Sequence, residues 1–584
     1  MGSAMYMSTE DVKHYVDEAV HSAVDSALHS PHHGLHGHDG RSLLQLPDSP
    51  FTLDDVDSDT GLVESLNQLR QAVSNVQSEV GSKADAASTN VFFLVYGGTI
   101  VFLMQLGFAM LTSGFVRTKN INNILLKNLM DASVASICWY VLGYGFAYGV
   151  SDHRTNAFIG NHDFALTHTV QENWALAHPE DDPGHESGNL ADYFFQWAFV
   201  ATTATIVSGG VAERITFVGY MSYVVWMVAW VYPVVVHAVW ATAGWLHAFV
   251  PDDTRVEVYV GSKDDGEYTF ADAWGKGAAI LNTGTMDYAG SGAVHLTGGL
   301  AALIGAWLLG PRVGRFKEDG SLNEEMNSSS NVLVVFGTLI LWFGWYAFNP
   351  GSQLAIATPG NAAIVARNAV TTTLAAASGG ITCLFFKFWR SGQLDVLSTC
   401  NGLLSGMVGV TAGPSLVEPW AAIICGAFGA LVFYGSEIVM HMLKIDDPVG
   451  AWSVHGAAGI YSVIFMGFFA KHDYVKEVYG NPVSSRRYGW FYGGHGQVML
   501  CNIIELVFII LWVGVNFYLL FGLLYITKKL RVPPEVEHAG LDVSFHGSRK
   551  SHMYEGSNGG HIDLTLAADE EGNKQRNGVV NNKP

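Results

Sequence analysis

Two histidines, His295 and His455, carry the most telling chemistry in this 584-residue sequence. Each closes the same spacing, in Asp287-Tyr-Ala-Gly-Ser-Gly-Ala-Val-His295 and Asp447-Pro-Val-Gly-Ala-Trp-Ser-Val-His455. Gly290 matches Gly450, Val294 matches Val454 and Gly299 matches Gly459. Both segments open long apolar stretches, and an ionisable side chain inside a membrane is costly unless it faces a cavity or a partner. A lone histidine there is more often structural, whereas a symmetric pair points to function. Imidazole titrates near ~6.5, and two rings can share one hydrogen bond as donor and acceptor. Such a pair suits the passage of a proton or of a protonatable solute. Metal binding is the weaker alternative, because two histidines without a nearby cysteine or free carboxylate are a thin ligand set.

The elements that position these residues follow from composition. Only 14% of the residues are charged, against about 25% in soluble domains, and the deficit is concentrated between residues 91 and 528. Apolar stretches of roughly 20 residues recur there, each long enough to cross a ~30 Å hydrocarbon core. The expected fold is an all-α membrane protein with eleven transmembrane helices, near 91–113, 130–150, 191–210, 217–239, 289–310, 331–349, 365–386, 396–413, 419–442, 450–470 and 500–526. The histidine segments open the fifth and tenth spans. Five is odd, so the sequence predicts two inverted five-helix repeats plus one extra helix. Eight helical residues rise ~12 Å, close to half the hydrocarbon thickness of ~30 Å. Both histidines should therefore lie near the midplane, approached from opposite faces.

An odd span count puts the termini on opposite sides. Loops in phase with the C-terminus hold thirteen basic residues, among them Arg117, Lys119, Lys127, Arg214, Arg312, Arg315 and Lys387, mostly in short loops. This predicts an external N-terminus and a cytoplasmic C-terminus. Residues 1–90 form an expected extracellular extension with fourteen acids against four bases, and residues 529–584 a cytoplasmic regulatory tail with a disordered distal part. The first span has no cleavage-site pattern and is not a signal peptide. The net charge of −21 speaks against nucleic acid as a partner. The five cysteines, Cys138, Cys383, Cys400, Cys425 and Cys501, fall in or beside spans and imply no disulfide framework. His29, His32, His33, His36 and His38 form a solvated tract that could hold a metal. Leu62, Leu66, Leu69, Val73, Val76 and Val80 follow a heptad seam, read as a short coiled coil over 62–80 or as an amphipathic helix on the protein surface.

The strings 287–299 and Gly-Pro-Arg-Val-Gly-Arg-Phe (310–316) closely resemble the signature of the ammonium transporter family, in its plant-type branch. Gly114–Ile121, Gly-Val-Ala-Glu-Arg (210–214), Gly-Trp-Tyr-Ala-Phe-Asn-Pro-Gly-Ser (344–352) and Asp446–Gly456 match in order, so the resemblance covers about 91–550. It implies a homotrimer with one pore per subunit and no cofactor, metal or catalytic residue. His295, His455 and Trp345 would line the pore, and Phe195 would be a further aromatic near it. Phe199 and Phe348 would close its outer end. Trp240, Phe199 and Ser352 would recruit ammonium, with Asp287 shaping that site from behind. Aromatic faces bind ammonium by cation–π attraction, and a serine hydroxyl accepts a hydrogen bond that K⁺ cannot offer. In the tail, Ala539-Gly-Leu-Asp-Val-Ser544-Phe-His-Gly547 resembles a regulatory motif and makes Ser544 a candidate phosphosite for a kinase. Residues 447–453 depart from the plant-type pattern, and the loops 151–190 and 251–286 match it little. Rival readings are a Rhesus-type electroneutral ammonia or carbon dioxide channel, which would lack the outer Trp and Ser, and an ammonium sensor, which would carry an appended signalling domain. No nucleotide-binding loop or nucleophile–base constellation suggests an enzyme. The membrane expected is the plasma membrane.

Overall fold

The computed structural model describes residues 86, 88–149, 156–167, 169, 190–248, 280–323, 326, 328–479 and 487–546. The 62–80 heptad seam, the histidine tract, most of both long loops and the distal tail lie outside the described residues. Among the described residues, ten helices are long and apolar enough to cross a membrane: α1 Ser88–Phe115, α2 Thr118–Tyr148, α3 Leu190–Val211, α4 Phe217–Trp240, α5 Ser291–Leu309, α6 Asn331–Gly351, α7 Pro359–Ser391, α9 Pro419–Met442, α10 Trp452–Phe469 and α11 Gln497–Ile526. Between them α8, Val396–Thr411, is apolar but has 16 residues, a rise of ~24 Å. The expected span 396–413 is thus a helix shorter than a straight crossing requires.

Local chemistry sets the helix starts. The side chains of Thr216, Ser330, Thr358 and Asp395 each accept a backbone N–H from the first turn of α4, α6, α7 and α8. Proline stands in the first turn of α7 and α9, where its missing N–H costs nothing. The helices divide into a buried set and a rim. In α3, 89% of the most apolar stretch is buried, against 33% in α9, which turns the rest of its apolar surface outward.

One boundary differs from expectation. α2 begins at Thr118 and not near 130, so Lys127 lies inside a helix and not in a loop. Lys127 and Asp131 lower the local hydropathy without ending the helix. Both are buried, with Lys127 Nζ donating to the Ile215 carbonyl at 3.0 Å and Tyr220 Oη donating to Asp131 Oδ2 at 2.6 Å.

The crossing of α5 and α10 is reciprocal, as an inverted repeat requires. A Cβ added at Gly299 would lie 2.3 Å from the Gly456 nitrogen, and one at Gly459 would lie 3.2 Å from the Leu296 nitrogen. Shifting each residue of the first contact by the 160 positions that separate the two histidines gives the second contact with its roles exchanged. Only glycine permits this approach, and it brings the two histidines face to face.

Candidate functional site

Each histidine sits in a π-helical turn, Ser291–Leu296 in α5 and Trp452–Ala457 in α10. Such turns widen a helix locally and recur at functional positions. The aspartate eight residues earlier holds each turn open at its start. Asp287 Oδ2 accepts the N–H groups of Gly292 and Ala293 at 3.0 and 2.8 Å. Asp447 accepts those of Gly450 and Trp452 at 3.0 and 2.8 Å. Gly290 and Gly450 adopt φ of 92° and 77°, a left-handed conformation that favours glycine and turns the chain into the helix.

The two imidazoles meet Nδ1 to Nδ1 at 3.1 Å, with ring planes 18° apart. A hydrogen bond between two Nδ1 atoms needs a proton on one of them only, so the rings must hold different tautomers or share one extra proton. The pair is buried, and His295 Nε2 has no partner among the described residues. A small solute reaching the pair can meet this nitrogen. Beyond His455 lies a largely apolar cavity lined by Phe108, Thr112, Thr205, Ile206, Asn401 and Val454.

On the other side of the histidines the aromatic residues line up. Trp345 stacks on His295 at 5.3 Å and donates its indole N–H to Thr411 Oγ1 at 3.0 Å. Phe348 lies 5.4 Å from His295 and stacks on Phe199 at 4.2 Å. Phe195 packs on Phe199 at 4.8 Å, and Trp240 meets Phe199 edge-on at 6.1 Å. Trp240 donates its indole N–H to the Asp287 carbonyl at 2.8 Å. Asp287 therefore ties Trp240 through its backbone and α5 through its side chain. Ser352 lies one turn beyond Phe348 and donates to its carbonyl at 2.8 Å, which leaves the hydroxyl oxygen's lone pairs able to accept. Phe199, Phe348 and Trp345 are buried, so these rings stand between Trp240 and the histidines.

At the opposite end the loops are locked by charge. Arg312 grips the Asp446 carboxylate with Nε and Nη2 at 2.7 and 3.0 Å and also donates to Glu213. Arg117 pairs with the same glutamate, and Arg214 donates to the Asp446 carbonyl at 2.6 Å. Burial would raise the Asp446 carboxyl, but the Arg312 guanidinium overrides it and holds the group well below the usual carboxylate range. Glu213 is lowered against the same burial by Arg312 and Arg117. Arg214, desolvated by burial, is lowered to about 10.

The proximal tail closes over this network. Asp542 accepts the N–H groups of Asn122 and Asn123 at 2.9 and 2.8 Å, serving as an N-terminal cap for α2 from 420 residues away. Lys119 Nζ donates to the carbonyls of Glu537 and His538 at 3.0 and 2.7 Å and so caps the tail helix Pro534–Ala539 in return. Ser544 is half-buried in the next short turn, Leu541–His546, and donates to the Gly540 carbonyl at 2.8 Å.

A family model described as the Ammonium Transporter Family matches residues 91–551, which is most of the chain. The chain belongs to the Ammonium Transporter Family. Among its relatives is "Ammonium transporter 1 member 3" of Solanum lycopersicum, 40% identical over 469 residues, covering 79% of this chain and 92% of that one. "Ammonium transporter 1 member 1" of Arabidopsis thaliana is 40% identical over 445 residues, covering 75% and 80%. Similar solved structures include a "Sensor Amt Protein", with TM-score 0.63, 27% identity and coverage of 79% and 99%. Saccharomyces cerevisiae Mep2 follows with TM-score 0.61, 25% identity and coverage of 76% and 88%. Membership and the ten apolar helices together make this a multi-pass membrane protein.

Within this family fold, several buried acids do not stand out in the sequence, among them Glu505, Asp131 and Glu213. Glu505 in α11 and Asp131 in α2 are fully buried within the spans, and Glu213 sits at φ 70° between Arg117 and Arg312. For Glu505 one signal is present nonetheless: it is the single charged residue between Gln497 and Ile526.

Proposed function

We propose that this chain takes up ammonium across the plasma membrane. Trp240, Phe199 and Ser352 recruit the cation at an outer mouth polarised by Asp287, and Phe199 and Phe348 form the gate beyond it. Ammonium loses a proton there, ammonia crosses the apolar pore past Trp345, and His295 and His455 offer it hydrogen-bond partners and relay the proton. The observation that carries the reading is the unbroken series Trp240, Phe199, Phe348, His295, His455, with successive ring centroids 6.1, 4.2, 5.4 and 5.2 Å apart. Rings attract a cation electrostatically, and an apolar passage offers bare K⁺ nothing in place of its hydration shell. The reading places the N-terminus outside and the arginine-rich end in the cytoplasm.

Ammonium-evoked current in expressing cells tests this, for the parent and for His295→Ala, with methylammonium and K⁺ as comparisons. The parent should carry current with ammonium and not with K⁺, and His295→Ala should change its size or selectivity. Ammonia flux without current would replace the reading by a Rhesus-type channel. Absence of any flux would favour a sensor, the reading to which the likeness with a protein titled "Sensor Amt Protein" lends support.

The reading extends to assembly and control. The subunits form a homotrimer in lipid, which native mass spectrometry of the purified protein would check. Residues 62–80 clamp it by a coiled coil, an idea that fails if a chain lacking residues 1–88 keeps full oligomer stability in detergent. A kinase closes the transporter by phosphorylating Ser544.

A further inference from the structure

Glu505 stands fully buried on α11, a helix otherwise without charge between Gln497 and Ile526. Its Oε2 accepts the Thr285 hydroxyl, while its Oε1 has no partner among the described residues. Asp287, 2% exposed, is in the matching position: Oδ2 accepts two backbone N–H groups and Oδ1 has no partner. The two carboxyls lie within hydrogen-bonding reach of each other. Both crowd Gly292, where an added Cβ would lie 2.4 Å from Glu505 Oε1 and 3.2 Å from Asp287 Oδ2.

Ionised carboxylates only accept hydrogen bonds, so two buried carboxylates side by side would repel in a medium of low dielectric. The neighbours do not supply the missing donor. The Thr285 hydroxyl has one proton, already given to Oε2, and the Asn502 amide donates to the Val463 carbonyl at 2.8 Å. Tyr232, Tyr479 and Cys501 lie within electrostatic reach of the pair, none of them is a cation, and no group among the described residues donates to Oε1 or Oδ1. One proton between the carboxyls turns that repulsion into a hydrogen bond. It belongs on Glu505, because Asp287 is already held as an anion by the N–H groups of Gly292 and Ala293.

We propose that Glu505 is a protonated positioning residue that donates a hydrogen bond to Asp287, fixing the aspartate that joins Trp240 to the start of the His295 helix. The pair carries one negative charge and not two. The flux part of this inference rests on the transport reading, and the proton itself does not.

The full-length protein in lipid vesicles serves for both tests. Infrared spectra at neutral pH should show the C=O stretch of a protonated carboxylic acid, shifted in D₂O and lost in Glu505→Gln. In transport, Glu505→Gln keeps the charge and a donor, so its half-saturation for ammonium should stay within about twofold of the parent. Glu505→Leu keeps the bulk but removes the donor and should raise it about tenfold, the equivalent of one hydrogen bond to a charged group. The proposal is overturned if the parent lacks the acid band, if the band survives in Glu505→Gln, or if Gln impairs transport as much as Leu. Parent-like transport by Glu505→Leu overturns the positioning role, and if Glu505→Leu does not fold, the Gln variant decides alone. If the parent moves no ammonium, the transport reading fails, and the infrared band alone upholds or overturns the shared proton.

Discussion

The Asp287 and Asp447 regions use one backbone device in two electrostatic settings. Both place an aspartate at the start, a glycine at positive φ three residues on, a capped N–H five residues on and a histidine eight residues on. Each also receives a second acid from a flanking helix. Glu505 of α11 crowds Gly292, and Glu437 of α9 stands 3.2 Å from a Cβ added at Gly450. The cations differ. Arg315 and Lys387 lie within electrostatic reach of Glu437, and Arg312 grips the adjacent Asp446. At the Asp287 end the neighbours are the rings of Trp240 and Phe199. The repeat thus fixes where the histidines stand, while the surroundings give one end aromatic rings and the other end fixed cations.

The largest effect should come from removing the cation that distinguishes the two ends. Arg312→Met leaves Glu213 and Asp446 buried with one partner fewer. Breaking a buried pair in this way costs about 3–5 kcal/mol, so thermal unfolding in detergent should begin at a clearly lower temperature. An unchanged transition would mean that Arg117 and Arg214 suffice and that the arginine end is not held by Arg312.

Next comes a matched pair of substitutions. Asp287→Asn removes negative charge beneath the aromatic mouth and should raise the half-saturation for ammonium about tenfold, the scale of one strong charge-assisted interaction. Asp447→Asn removes the same charge from the arginine end and should move it less than about threefold. Equal shifts in ammonium-evoked current would show that the aspartates act only as helix caps, and the electrostatic contrast would then carry no function.

How much of this was legible in the sequence depends on how far each signal reaches along the chain. The histidine pair was legible because one intramembrane histidine per repeat, eight residues after an aspartate, stands out against an apolar background. Most spans were legible for the same reason. The start of α2 was not, because averaged hydropathy treats Lys127 and Asp131 as a loop, whereas the fold satisfies them with Ile215 and Tyr220. The roles offered for Trp240, Phe199 and Ser352 came from resemblance, since rings on α4 and α3 and a hydroxyl just past the end of α6 have no common local pattern. The cap that Asp542 places on α2 joins residues 420 positions apart, and nothing in the local sequence announces it.

A smaller effect is expected at the tail. Ser544 lies two positions from the Asp542 cap, and a phosphate there would add about −2 charge beside that carboxylate. Ser544→Asp should lower maximal ammonium current severalfold with little change in half-saturation, because it acts on docking and not on the mouth. Currents equal to the parent would rule out the switch.

The smallest effect concerns acid, and it sharpens the same contrast. Asp446 and Glu213 are held below their ordinary values by Arg312 against the opposing effect of burial. A carboxyl lowered on folding contributes stability that is fully present above its unfolded value, near ~4, and is lost as pH falls through the lower folded value. Thermal stability of the parent should therefore fall as the medium is taken from about pH 5 to below pH 4. In Arg312→Met the same buried carboxyls have lost their main cation and bind protons more readily. Protonation then relieves the variant where it penalises the parent, so the gap between their unfolding temperatures should narrow as pH falls. A gap that stays constant over that range would place the acid-sensitive carboxylates elsewhere, and the arginine end would owe its stability to packing and not to charge.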